Sequence, residues 1–203
     1  MHVRIEYRER RSRLTTALRC FLVLPHLVAA LCVGLVAAAA AGVAWFSILA
    51  TGRYPRPVAG FVAGAIRYTT RVGCYWLLVT DPFPSFAFAR RSGDPVDLRV
   101  DEPDGRSRLT TLFRLPLALP ALTLLYLFQV FALVASFVAW WTILLTGRLP
   151  HGMFEVMEVC HRFHARVSAY VWLLVDAYPW FQEEPASGPA GWAIQAEVRP
   201  SPE

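Results

Sequence analysis

The chain has 203 residues; 56% are hydrophobic, only 17% are charged, and the formal net charge is +5. A soluble domain needs about 25% charged residues to cover its surface, so the composition argues against a soluble protein. The positive balance does not point to nucleic acid either, because the arginines crowd beside apolar stretches, where they meet anionic headgroups and set membrane orientation.

The chain opens with HVRIEY (His2 to Tyr7), an alternating strand-like segment, and a basic run of Arg4, Arg8, Arg10, Arg11, Arg13 and Arg19. Leu14 to Leu24 is apolar apart from Thr15, Thr16 and Arg19, the pattern of an amphipathic helix in the headgroup region. Pro25 marks a bend or fresh start. From Cys20 to Ala50 no residue is charged. That stretch exceeds the ~20 residues needed to cross a bilayer core of about 30 Å, and it is too long for a signal peptide. The expected span is His26 to Ala50. Ala37 to Gly42 supplies small side chains for close helix approach, and Trp45 stands near the far interface. TGRYP (Thr51 to Pro55) then turns the chain, and Val58 to Thr80 forms a second helix carrying Arg67 and Arg71, closed by Asp81.

After turns at Gly93 and Glu102 the pattern returns, 95 residues on. RSRLTT begins at Arg11 and again at Arg106, and TGRYP returns as TGRLP from Thr146. Arg67, Arg71, Tyr75 and Asp81 return as Arg162, Arg166, Tyr170 and Asp176. Leu115 to Leu145 is again uncharged, with a span at Ala121 to Leu145 and a bend at Pro120; Met153 to Val175 is the second return helix. The organisation is therefore 1–94 as the first membrane repeat, 95–184 as the second, and 185–203 as a polar tail. The strand-like segments at 2–7, 95–100 and 192–198 invite a small sheet.

The expected fold is all-α and transmembrane: two tandem helical hairpins with amphipathic interfacial helices and a small cytoplasmic strand element. An arginine at mid-bilayer costs at least ~2.5 kcal/mol, which disfavours crossing by the return helices. Yet both basic starts belong on one side, and that requires two crossings per repeat. The expectation is four spans in parallel hairpins, multi-pass in the cell membrane, with both termini cytoplasmic. Non-crossing return helices would instead give two spans in an inverted repeat.

Arg67 with Arg71, and Arg162 with Arg166, each share a helical face. They could form an anion or headgroup site, or be structural, paired with Asp81, Asp176 or helix-end carbonyls. Arg53 and Arg148 are further partners for the two aspartates, and Glu158 can neutralise Arg162. Arg13, Arg19, Arg108 and Arg114 read as interfacial basic residues. Glu158, His161 and His164 have helical spacing that can hold a metal, but the first copy has Ala63, Ile66 and Thr69 there, so no metal or other cofactor is expected. Cys20, Cys32, Cys74 and Cys160 are not matched between copies and read as apolar fillers.

RSRLTTLFR followed by Pro120, AWWTILLTGRLP at 139–150 and ARVSAYVWLLVDAYPWF at 165–181 resemble the domain-of-unknown-function family 4389. The first copy matches through RSRLTTALR, AWFSILATGRYPRPVAGFVAGAIRYTTRVGCY and TDPFPSF. It departs at Gly73 and Cys74, and the second copy departs at Leu149. The resemblance implies a bacterial, mainly actinobacterial, inner-membrane protein and carries no activity with it. The expected function is non-enzymatic: an accessory or structural subunit of a membrane complex, with lipids, other subunits or a second copy as partners. The alternatives are an oligomeric transporter or channel, or a headgroup-binding protein, using Arg67, Arg71, Arg162 and Arg166. A membrane enzyme acting on lipid is a further alternative.

Overall fold

The computed structural model describes residues 2–5, 7–88, 96–99 and 107–179. The fold is mostly helical, and the order is β1 (His2–Ile5), α1 (Arg13–Leu22), α2 (Leu24–Thr51), α3 (Arg56–Trp76), β2 (Val96–Arg99), α4 (Arg108–Leu112), α5 (Arg114–Thr146) and α6 (His151–Val171). The expected strand at 192–198 lies outside the described residues.

Both repeats start with a serine cap: Ser12 Oγ accepts from the Thr15 amide and Ser107 Oγ from that of Thr110, satisfying an amide that has no intrahelical partner. The leading helix then breaks before the long one, but at Val23 in one copy and Phe113 in the other. The first proline sets the position. Pro25 falls in the first turn of α2 and Pro116 in the first turn of α5, where a missing N–H leaves no bond unmade. Pro120, expected to mark the bend, lies inside α5. Each long helix ends on a glycine in the left-handed region, Gly52 and Gly147, both with φ 73°. A residue with a Cβ is strained there, so TGR-x-P is a helix stop followed by a proline-led restart.

α2 and α3 form one antiparallel hairpin, and α5 and α6 the other. Against the expectation of parallel hairpins, the two run in opposite directions. Tyr54, before α3, donates to the Trp172 carbonyl beyond α6. At the opposite end, Arg11 joins the Val79 carbonyl after α3 to the Gly147 turn before α6. The first basic segment therefore lies beside the TGRLP turn, and the second beside TGRYP, with Arg108 against Gly52. Repeat matching alone carries no information on direction, because parallel and antiparallel hairpins share one sequence pattern.

The contacts obey an approximate twofold. Trp45 Nε1 donates to the Thr111 carbonyl and Trp140 Nε1 to the Thr16 carbonyl, each at 3.0 Å. Exchanging the copies turns one bond into the other. α1 thus packs on α5, and α4 on α2: each repeat docks its leading helix on the other. β1 and β2 pair antiparallel with Val3 opposite Leu98, residues 95 apart, so the axis passes through that pair. The ribbon rests on α3 and α6. The core lies between these two helices, where Val62, Ile66 and Cys74 join Phe154, Met157 and Ala165, with Ile143 of α5 closing one side.

Among the described residues, α2 and α5 are the helices long and apolar enough to cross a membrane. Their outer faces are bare: Leu31, Leu35, Phe46, Leu119, Tyr126 and Leu145 are each more than 60% exposed. Exposure of so much contiguous apolar surface is what lipid or a partner covers. α3 and α6 are amphipathic: Thr70, Arg71, Glu158 and His161 are buried inside the fold, while Arg56, His151 and Glu155 near their starts are exposed.

Candidate functional site

Two equivalent clusters stand at the ends of α3 and α6. The chain leaves each helix through a leucine in the left-handed region, Leu78 (φ 62°) and Leu173 (φ 66°), a conformation costing roughly 1–2 kcal/mol outside glycine. A buried arginine closes the turn. Arg19 Nη1 donates to the Tyr75 and Thr80 carbonyls at 2.8 and 3.0 Å, and Nη2 to Asp81 Oδ1 at 2.7 Å. Arg114 does the same with the Tyr170 and Val175 carbonyls and with Asp176 Oδ1 at 2.5 Å. Each guanidinium lies over a tyrosine ring, Tyr75 at 4.3 Å and Tyr170 at 4.4 Å. The cation adds a donor to the carbonyls at a helix C-terminus, where the Tyr75 and Tyr170 carbonyls also accept from the Leu78 and Leu173 amides, and the carboxylate balances its charge.

Arg19 and Arg114 are thus partners of Asp81 and Asp176 that lie outside the candidates the sequence offered for them. Arg19 and Arg114, expected at the headgroups, are almost fully buried, with side chains 3% and 2% exposed. Arg13 and Arg108 do lie at the surface; Arg13 donates to the Leu145 carbonyl on the other repeat. One signal in the sequence could have found the pairs: arginine and aspartate are separated by the same 62 residues in both copies.

The return helices differ in their middles. Arg71 is buried and donates to Ser85 Oγ at 2.9 Å and to the Ala87 carbonyl, holding the segment after Asp81 along α3. Phe86 of that segment stacks on His26, whose Nδ1 meets the Tyr68 hydroxyl at 3.0 Å. In α6, Arg162 pairs with Glu158 at 3.0 Å. These bonds of Arg71 and Arg162 run within their own repeats, while Arg67 and Arg166 are partly buried on the same helices. His161 is buried with Nδ1 2.9 Å from the Met157 carbonyl, and Gly73 of α3 approaches its Nε2. Burial pushes the His164 pKa down to about 4, with His161 adding to the fall. Among the described residues no group of three metal-ligating side chains comes together; Glu158 and His161 are engaged as above.

Sequence reasoning also missed Arg11. It is 6% exposed, and Nη2 donates to the Val79 carbonyl at 2.8 Å. Burial lowers its pKa to about 10, with Asp81 opposing the fall. Beside the first cluster a groove of about 640 Å³ opens between α1, the end of α3 and α5. Apart from Arg19 and Ser136 its lining is apolar or sulfur-bearing, including Trp76, Phe137 and Trp140, so it offers packing surface rather than converging reactive groups. All four cysteines are free. Burial first, then Glu158, holds the Cys74 thiol protonated, which is the opposite of nucleophile activation.

The model of a protein family matches residues 13–87 and again 108–183: domain of unknown function DUF4389. The chain belongs to that family and carries the domain twice. No curated protein and no solved structure matches it.

Proposed function

We propose that this tandem DUF4389 protein is a non-enzymatic integral protein of the bacterial inner membrane, acting as an accessory or structural subunit of a membrane complex. The observation that carries this reading is the division between its interior and its surface. Inside, buried cations are engaged by carbonyls and carboxylates of the same chain. Outside, α2 and α5 present apolar side chains, the kind of surface that lipid and neighbouring subunits cover.

An intramembrane charge is a functional candidate by default, but internal pairing accounts for it equally. The transport alternative requires Arg67, Arg71, Arg162 and Arg166 to face permeating anions. Arg71 is bonded to Ser85 and Ala87, and Arg162 to Glu158, which favours the structural role.

The test uses the full chain with Arg67→Leu and Arg162→Leu. Native electrophoresis of mildly solubilised membranes should place the wild type in an assembly larger than itself, and a folded variant should remain there. Purified protein in liposomes should release chloride no faster than protein-free vesicles. Chloride release that the variants abolish while still folded and assembled would establish transport and overturn the accessory reading.

A further inference from the structure

The sequence pattern treats each long helix as a membrane crossing, and the fold gives four reasons against it. The first is the place of the β1–β2 ribbon. The twofold passes through its Val3–Leu98 pair, so the ribbon lies midway between the two ends of the helical bundle. Were the helices to stand across a bilayer, the ribbon would sit at the depth of the bilayer centre. A two-stranded ribbon has two open edges, and open edges do not occur in contact with hydrocarbon. Its strands, HVRI and VDLR, also carry charge.

The second reason is connectivity. Asp81 lies at one end of the bundle beside Arg19, and Ser107 at the other, where its amide donates to Asp176 Oδ2. The connection between them includes residues 89–106, half of which are charged. Standing helices would require that segment to be carried across the bilayer.

The third is length. α2 has 28 residues and α5 has 33, about 42 and 50 Å at 1.5 Å per residue, against a hydrocarbon core of about 30 Å. The fourth is charge. Exposed Arg8, Arg10, Arg13 and Arg148 stand at one end, and exposed Arg53, Arg56 and Arg108 at the other. Four arginines against three give the positive-inside rule little to choose between.

All four are resolved if the helices lie down. We propose that the protein embeds the apolar faces of α2 and α5 in a single leaflet of an anionic bilayer, with its twofold along the membrane normal and the β1–β2 ribbon on the aqueous side. Both arginine-bearing ends then meet the same headgroup layer, where each basic residue near an anionic surface contributes ~1 kcal/mol. Interfacial helices held by apolar burial plus basic contacts follow the same physics. This inference rests on the membrane reading above.

The test is side-specific labelling of the full chain in spheroplasts. Cys20→Ala and Cys32→Ala remove the exposed thiols, and single cysteines are added as Arg8→Cys, Arg53→Cys, Ser107→Cys or Arg148→Cys, all at exposed positions. A membrane-impermeant maleimide is applied before and after lysis. In-plane embedding predicts that all four sites behave alike, reacting together before lysis or together only after it. A split with 8 and 148 against 53 and 107 would show antiparallel spanning hairpins, and 8 and 107 against 53 and 148 would show parallel ones; either overturns the proposal. Alkaline extraction of the same membranes keeps the outcomes apart: release of the unaltered chain into the supernatant would overturn the membrane reading itself.

Discussion

At the end of α3, Arg19 lies over Tyr75 and holds Asp81; at the end of α6, Arg114 lies over Tyr170 and holds Asp176. A few turns earlier the two helices have diverged. α3 uses Arg71 to fasten an aromatic segment of its own repeat, whereas α6 pairs Glu158 with Arg162 and buries His161. The contrast separates what the fold requires from what one copy has acquired. In both copies the left-handed leucine at the helix end is accompanied by an arginine on the neighbouring carbonyls. The middle of the helix needs only satisfied polar groups, and two different sets will do.

The largest effect should come from the shared ends. Arg19→Leu takes the donor from Asp81 and the Thr80 carbonyl and leaves the Tyr75 carbonyl only the Leu78 amide, and removal of one partner of a buried pair costs about 3–5 kcal/mol. Arg114→Leu should lower stability by a similar amount in thermal unfolding of the detergent-solubilised protein. If one variant were silent while the other unfolded, the equivalence of the two ends would be broken.

The middles should differ in their response to acid. The His164 pKa lies near 4 in the folded chain against an ordinary 6.5, so the unfolded chain binds the proton first. Stability is then fully present above about pH 6.5 and is lost as pH falls toward 4, by on the order of 3 kcal/mol at about 1.4 kcal/mol per pH unit. His161 is lowered by burial too and acts in the same direction. Thr69 stands at the position of His164 in the first copy, so His164→Thr should flatten the profile. An unchanged slope in that variant would assign the acid sensitivity elsewhere.

The smallest effect tests the turns. Gly52→Ala and Gly147→Ala place a Cβ on a left-handed residue, costing about 1 kcal/mol each. Gly147→Ala should cost slightly more, because its Cβ would stand 3.3 Å from Arg13 Nε, against 3.6 Å from Arg108 Nε at Gly52. Denaturant midpoints of the two variants decide the order.

The repeat, the glycine stops and the two long apolar helices were all legible in the sequence, because each rests on local chemistry: a period of 95, a residue without Cβ, a run without charge. The partners of Arg19 and Arg114 were not, because helical spacing describes neighbours within a turn or two and these pairs close across a whole hairpin. Nor did the copies reveal where α4 gives way to α5. Pro116 has no counterpart in the first repeat, where Phe21 stands, and it moved the break to Phe113. The direction of the hairpins was settled by tryptophan bonds between copies, and a pattern common to both copies is blind to that choice.

The Val3–Leu98 pair and the reciprocal tryptophan bonds have a consequence for assembly. Contacts that survive exchange of the copies are contacts that two separate single-domain chains could make with each other as a homodimer. Joining them in one polypeptide replaces a concentration-dependent encounter with an intramolecular one, at effective concentrations on the order of millimolar for short linkers. It also releases the halves from having to be identical. A histidine or glutamate introduced in a homodimer appears twice about the axis, but in a fused chain it appears once, and α6 has used that freedom.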